Sequence, residues 1–168
     1  FSTDEKIAGR EDLCGEQYAV PAVHACHLEN NTCFAYMDGR RMVVYSCNQV
    51  PHTLRRNIAE AIGMPLGDVR VVKPFLGGGF GNKQDTMYEP LVALASQRLG
   101  GRCVAITLSR EETFVNTRTR HGFDMTIAAA ADEAGDLTHR GIRINSNGGS
   151  YAAHTHAVAA YACLLSTS

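Results

Sequence analysis

No sign of charge dominates this chain, no apolar run is long, and no cysteine pair has a ligand spacing. Sixteen Lys and Arg stand against seventeen Asp and Glu, a formal net charge of −1. That mixed pattern lacks the broad basic surface a nucleic-acid binder needs. No apolar stretch approaches the ~20 residues that cross a bilayer. Phe1 to Arg10 is polar and lacks the apolar core of a secretory signal. The six cysteines, Cys14, Cys26, Cys33, Cys47, Cys103 and Cys163, are scattered without a C-x-x-C. This spacing argues against a structural zinc or an iron–sulfur ligand set and suits free thiols in a reducing cytosol. Low-complexity segments and internal repeats are also missing.

What is there begins with Val71-Val72-Lys73-Pro74-Phe75-Leu76-Gly77-Gly78-Gly79-Phe80-Gly81-Asn82-Lys83-Gln84-Asp85. A β-branched strand runs into a glycine-rich turn, and a helical pattern follows. Glycines reach positive φ and let backbone N–H groups approach a ligand closely. A helix starting just after the turn would add free N–H groups and a positive dipole end. The turn is a candidate cradle for an anionic or oxo-bearing ligand. The dinucleotide fingerprint fails, because Asn82 stands where its last glycine belongs. The phosphate loop fails too, with Asn82 before Lys83 and Gln84 after it. On glycines alone, a tight strand-to-helix connection explains the string equally well.

Pattern and turn signals predict an α+β fold of order ββ-α-β-α-β-ββ. Thr32–Met37 and Arg41–Cys47 flank Asp38-Gly39, a hairpin signal. Pro51 and Gly63 bracket a helix over about 51–62, with Leu54, Ile58, Ala61 and Ile62 at helical spacing. Val69–Lys73 is the strand that feeds the glycine turn. A second helix is expected from just after the turn to about Leu99, with Leu91, Leu94, Ala95 and Leu99 on its apolar face and Pro90 near its start. Cys103–Leu108 is a strand, and Phe123–Ala131 with Leu137–Asn145 forms a second hairpin. Residues 1–20 are expected on the surface and 21–168 in one domain. At 168 residues the chain can bury a core.

Other strings accompany the glycine turn in order. They are His24-Ala25-Cys26-His27-Leu28-Glu29-Asn30, Ser46-Cys47-Asn48-Gln49-Val50-Pro51-His52, Leu108-Ser109-Arg110-Glu111-Glu112-Thr113, Thr117-Arg118-Thr119-Arg120-His121 and Asn145-Ser146-Asn147-Gly148-Gly149-Ser150-Tyr151. Together they resemble the molybdenum-cofactor-binding subunit of the xanthine dehydrogenase and aldehyde oxidase family over roughly residues 14 to 160. The variant Phe80-Gly81-Asn82-Lys83-Gln84-Asp85 is most similar to the separate molybdenum subunit of bacterial xanthine dehydrogenases. The resemblance implies a molybdopterin-binding-domain-like fold and a molybdenum-molybdopterin cofactor. It implies hydroxylation of an aromatic heterocycle, such as the purine xanthine, or of an aldehyde. Iron–sulfur clusters and FAD are expected on partner subunits or domains, in a cytoplasmic enzyme without nucleic-acid or membrane partners.

The resemblance assigns Gln49 as the residue that donates a hydrogen bond to an oxo ligand of the metal. Without it, a cap on the following helix is the simpler role. Gly78, Gly79, Phe80 and Gly81 become the cofactor-facing loop, with Phe80 as an apolar wall; the alternative is a structural turn with Phe80 in the core. Gln84 stands where animal purine-oxidising relatives carry a substrate-binding glutamate, so the substrate class is open. Asn82, where many relatives have glycine, points the same way. His24 with His27, and His154 with His156, read better as hydrogen-bonded or surface histidines than as metal ligands. Arg110, Glu111 and Glu112 read as a salt-bridged turn, with Arg118 and Arg120 solvated or paired to those glutamates. The family subunit is several times longer, and its glutamate base and substrate arginine are not recognisable here. The chain therefore reads as a cofactor-binding piece, inactive alone. The rival is a non-catalytic assembly module that keeps the fold and binds no cofactor. A nucleotide binder comes third.

Overall fold

The structure, a computed structural model, describes residues 14–149 and 154–166. The segment before Cys14, Ser150-Tyr151 of the last string and the Cys163 side chain lie outside the described residues. The described chain falls into two compact units, one over His24–Thr119 and one that joins residues up to Val23 with those from Arg120 onward.

The His24–Thr119 unit is a four-stranded sheet with helices. Its strands are β2 (Thr32–Asp38), β3 (Arg41–Ser46), β4 (Val69–Val72) and β5 (Val104–Thr107), in the order β4-β3-β2-β5. β2 and β3 form the hairpin that Asp38-Gly39 announces, with Asp38 opposite Arg41 and Gly39 at φ +59°. β3 and β4 are parallel and are joined through helix α1 (Pro51–Ile62). Pro51 sits in the first turn of α1, and Gly63 ends it at φ +67°. α1 buries Leu54, Ile58, Ala59 and Ile62. These pack with alternate strand residues Cys33, Ala35, Met42, Val44 and Val69. Alternation fits the period of two along a strand.

Helix α2 (Glu89–Arg98) completes this core with Val92 and Ala93. Its apolar face differs from the expected one. Leu91 is 64% exposed and Leu94 and Leu99 are also exposed, while Val92, Ala93 and Ser96 are buried. Small residues let the helix approach the sheet closely. The helix also begins later than expected. A short 3₁₀ turn (Asn82–Gln84) follows the glycines, and α2 starts only at Glu89. The glycine turn therefore has no α-helix directly behind it.

A further helix, α3 (Arg110–Asn116), was expected only as a turn. Ser109 caps it by accepting from Glu112 N–H, and the Glu112 carboxylate accepts from Ser109 N–H. This is a capping box, and Ser109-x-x-Glu112 is its sequence signature.

The second unit is a three-stranded antiparallel sheet of order β1-β6-β7, with β1 (Cys14–Val20), β6 (Gly122–Ala131) and β7 (Leu137–Asn147), and a helix α4 (Thr155–Ser166). The β6–β7 hairpin falls where Asp132 to Asp136 predicted it. Every residue of β1 is exposed, and β1 pairs with β6 more than a hundred positions later. Neither β1 nor α4 was expected from the sequence.

Cys33 and Cys47 are buried, while Cys14, Cys26 and Cys103 are exposed, and all five are free thiols. Burial pushes the Cys33 thiol up to about 12, with the neighbouring Glu89 carboxylate adding to it. Burial also raises Cys47. Since the thiolate is the nucleophile, alkylation of the folded chain at neutral pH should modify Cys14, Cys26 and Cys103 and spare Cys33 and Cys47. Peptide mass spectrometry reads the result; rapid labelling of Cys33 would contradict this packing.

Candidate functional site

The parallel β3-α1-β4 connection places two segments at the same end of the sheet. Asn48 and Gln49 follow the end of β3, and the glycine turn follows the end of β4. Ligand sites of parallel sheets form beyond the carboxyl ends of adjacent strands.

Gln49 and the turn are joined directly. Gln49 Oε1 accepts from Gly81 N–H at 3.1 Å and from Lys83 N–H at 3.2 Å. Gln49 N–H donates to the Lys83 carbonyl at 2.7 Å. Both backbone donors end on the side-chain oxygen, so the orientation of the amide is fixed. Its Nε2 group has no partner among the described residues. Gln49 is thus a half-buried side chain with its acceptor occupied and its two N–H donors free. It does not cap α1. The residue before that helix is Val50, which makes no side-chain cap, and Asn48 Oδ1 accepts from Val50 N–H at 2.8 Å.

The glycines serve different ends. Gly78 and Gly81 lie at φ +98° and +83°, where a side chain would be strained. Gly79 has no such backbone; a Cβ there would lie 2.5 Å from Gln49 Cδ. Its requirement is space, and the φ-permissive role belongs to its neighbours. Phe80 also has positive φ, +51°, and is 73% exposed. A bulky residue in that region is strained by roughly 1–3 kcal/mol. Phe80 stands on the surface and is not a core residue. The N–H groups of Gly78, Gly79 and Phe80 have no acceptor among the described residues, whereas those of Gly77, Gly81, Asn82 and Lys83 do.

Behind the turn lies a polar layer. Asn82 and Lys83 are buried. Asn82 Nδ2 donates to the Arg118 carbonyl, and Asn82 Oδ1 lies 3.1 Å from Nε2 of the buried His27. Asn82 therefore points inward. Lys83 Nζ pairs with Glu29 Oε2 at 2.6 Å. Gln84 is half-buried and makes no side-chain hydrogen bond among the described residues.

His24 and His27 are both hydrogen-bonded. Nδ1 of His24 accepts from Cys26 N–H at 3.0 Å, and its Nε2 lies 2.8 Å from Thr117 Oγ1 and 3.2 Å from Asn82 Nδ2. Desolvation lowers the His24 pKa, helped by His27 and Arg110. Arg110 donates to the carbonyls of His27 and Leu28. Arg118 pairs with Asp85, not with Glu111 or Glu112.

The arrangement is not a closed chamber. One small cavity, of about 10 Å³, lies between Asn31, Lys83, Tyr88 and Glu89 and has room for a single water. A groove of about 360 Å³ beside β4, lined by His52, Arg55, Arg70 and Lys73 among others, includes none of the candidate residues.

The glycine turn and the Gln49 amide thus lie together at one end of the sheet. Residues 3–168 match the family model of the molybdopterin cofactor-binding domain. The putative xanthine dehydrogenase molybdenum-binding subunit XdhA of Escherichia coli is 43% identical over 143 residues, which are 84% of this chain and 19% of that protein. The carbon monoxide dehydrogenase large chain of Hydrogenophaga pseudoflava is 30% identical over 86% of this chain and 18% of its own length. Among solved structures, the aldehyde oxidoreductase of Desulfovibrio gigas shares the fold, with a TM-score of 0.74 at 23% identity, over 87% of this chain and 16% of its own. The chain belongs to the molybdopterin cofactor-binding domain family. It spans about a fifth of the length of the curated relatives it matches.

Gly79→Ala should test the close approach. Its Cβ would displace the Gln49 side chain and break the bonds from Gly81 and Lys83. Overpacking of this kind costs about 1–3 kcal/mol, to be read by chemical denaturation. Unchanged stability would mean that the turn and Gln49 are not in contact.

Proposed function

We propose that this chain is the lobe of a molybdenum hydroxylase that presents Gln49 and the Gly78–Gly81 turn to the cofactor. The observation that carries the reading is the donor set: Gln49 Nε2 and the N–H groups of Gly78, Gly79 and Phe80 are free, while Gln49 Oε1 is held by Gly81 and Lys83. Such a set suits oxo and other electron-rich groups of a molybdopterin cofactor. When bound, that cofactor supplies the oxygen-transfer and two-electron chemistry; the protein orients and stabilises it. Gln49 donates a hydrogen bond without reorganising, because its oxygen is already committed. The turn adds backbone donors that need no side chain. Phe80 shields the donors from water.

The reaction class is hydroxylation of an aromatic heterocycle or an aldehyde. The similarity to a protein named as a xanthine dehydrogenase subunit supports a purine. Gln84 is the residue of this lobe proposed to face substrate, offering both donor and acceptor where a carboxylate would offer acceptors alone. Iron–sulfur clusters and a flavin on partner subunits or domains would supply the onward electron transfer. Among the described residues no cluster of His, Cys, Asp or Glu could hold a metal ion. The lobe is inactive alone, since no recognisable base accompanies Gln49. Free thiols support a cytoplasmic setting. No described helix is long and apolar enough to cross a membrane.

Gln49→Ala in the assembled enzyme should lower turnover at saturating substrate while molybdenum and pterin contents stay near normal. Losing one donor to a developing charge costs on the order of 2–4 kcal/mol in the barrier. An unchanged rate would show that Gln49 is only a structural link to the turn.

A further inference from the structure

We infer that the half-buried Glu29 and the buried Lys83 form a clasp that closes the glycine turn and thereby sets the direction of the Gln49 amide. The inference rests on the cofactor-lobe reading above. Lys83 has a side chain only 1% exposed, and its described ion-pair partner is Glu29. A buried ammonium is strongly driven to keep its counter-charge, since separation leaves an uncompensated charge in low dielectric.

Glu29 holds both ends of the turn. Its Oε2 accepts from Gly77 N–H at 3.1 Å and from Lys83 Nζ at 2.6 Å. Its backbone N–H donates to the Gly77 carbonyl at 3.1 Å. A Cβ on Gly77 would lie 2.5 Å from Glu29 Cβ, so the two chains touch without room to spare. The seven residues from Gly77 to Lys83 are therefore anchored at both ends by one residue from a separate segment. Within that closed turn, Gly81 and Lys83 give their N–H groups to Gln49 Oε1. Lys83 is common to both arrangements: its side chain binds Glu29 and its backbone binds Gln49 in both directions. If the ammonium leaves Glu29, the backbone that orients Gln49 loses its anchor. Gly78 and Gly81, at positive φ, cannot hold the turn rigid by themselves. Glu29 and Lys83 are thus positioning residues; neither need touch the cofactor.

The test uses Glu29→Gln and Lys83→Met, near-isosteric changes that remove one charge each, with Gln49→Ala alongside, in the full-length subunit assembled with its partners. Hydrogen–deuterium exchange of peptides spanning 77–83 should quicken at least about tenfold in both clasp variants, with β2 and β3 unchanged. kcat should fall toward that of Gln49→Ala, with KM and molybdenum content little altered, because a misaimed donor weakens transition-state contacts more than binding. If Lys83→Met fails to fold, Glu29→Gln decides the matter. Loop exchange unchanged in Glu29→Gln overturns the inference. So does a loosened loop with normal kcat while Gln49→Ala is slow. A loosened loop with normal kcat in every variant, Gln49→Ala included, supports the clasp and counts against the catalytic reading of Gln49 instead.

Discussion

Two backbone N–H groups ending on one side-chain oxygen give this site its order. Gln49 Oε1 accepts from Gly81 and Lys83, and that contact fixes the direction of the free Gln49 Nε2 donors. An amide side chain left alone can turn over, exchanging acceptor for donors. Here the turn settles the question before any ligand arrives, which is the meaning of preorganisation at such a site. The contact in turn depends on the absence of a side chain at Gly79, where even a Cβ would meet Gln49 Cδ at 2.5 Å.

The fold is what brings these pieces together. Parallel β3 and β4 point the same way, so the residues after both strands meet at one end of the sheet. The apolar core of Leu54, Ile58, Met42, Val44 and Val69 holds that connection in register. Above it lies a polar layer: Asn82 between His27 and the Arg118 carbonyl, Lys83 on Glu29, Asp85 on Arg118. These charges and amides are satisfied pair by pair, so the turn is tied to two separate segments of the chain, His27 to Glu29 and Arg118. Strain at Phe80, held at positive φ, is tolerated because those neighbours fix the backbone on its C-terminal side.

Much of the fold was legible because its signals are local. Asp38-Gly39 marks a hairpin, and Pro51 and Gly63 bracket α1. The failures have physical causes. β1 carries no buried face, so hydrophobic alternation could not reveal it; its partner lies far along the chain. α3 was within reach, since Ser109-x-x-Glu112 spells a capping box, but its charges read more naturally as a salt-bridged turn. The apolar face of α2 was misplaced because leucines were favoured over the smaller Val92, Ala93 and Ser96 that the sheet admits. At the site, Gln49 and the glycines stood out through family resemblance, and the structure brings them into contact. Glu29, Lys83 and the inward role of Asn82 were not visible. A buried lysine looks the same in sequence as a surface one, and only the meeting of positions 29 and 83 distinguishes it.

The most direct test of the donor cradle is a high-resolution crystal structure of the cofactor-loaded subunit that contains this chain. The account predicts Gln49 Nε2 within hydrogen-bond distance of a cofactor oxygen, with Gln49 Oε1 still on the Gly81 and Lys83 N–H groups. It also predicts at least one of the Gly78, Gly79 or Phe80 N–H groups facing the cofactor. A cofactor bound elsewhere, or a Gln49 amide turned so that its oxygen faces the cofactor, would contradict it.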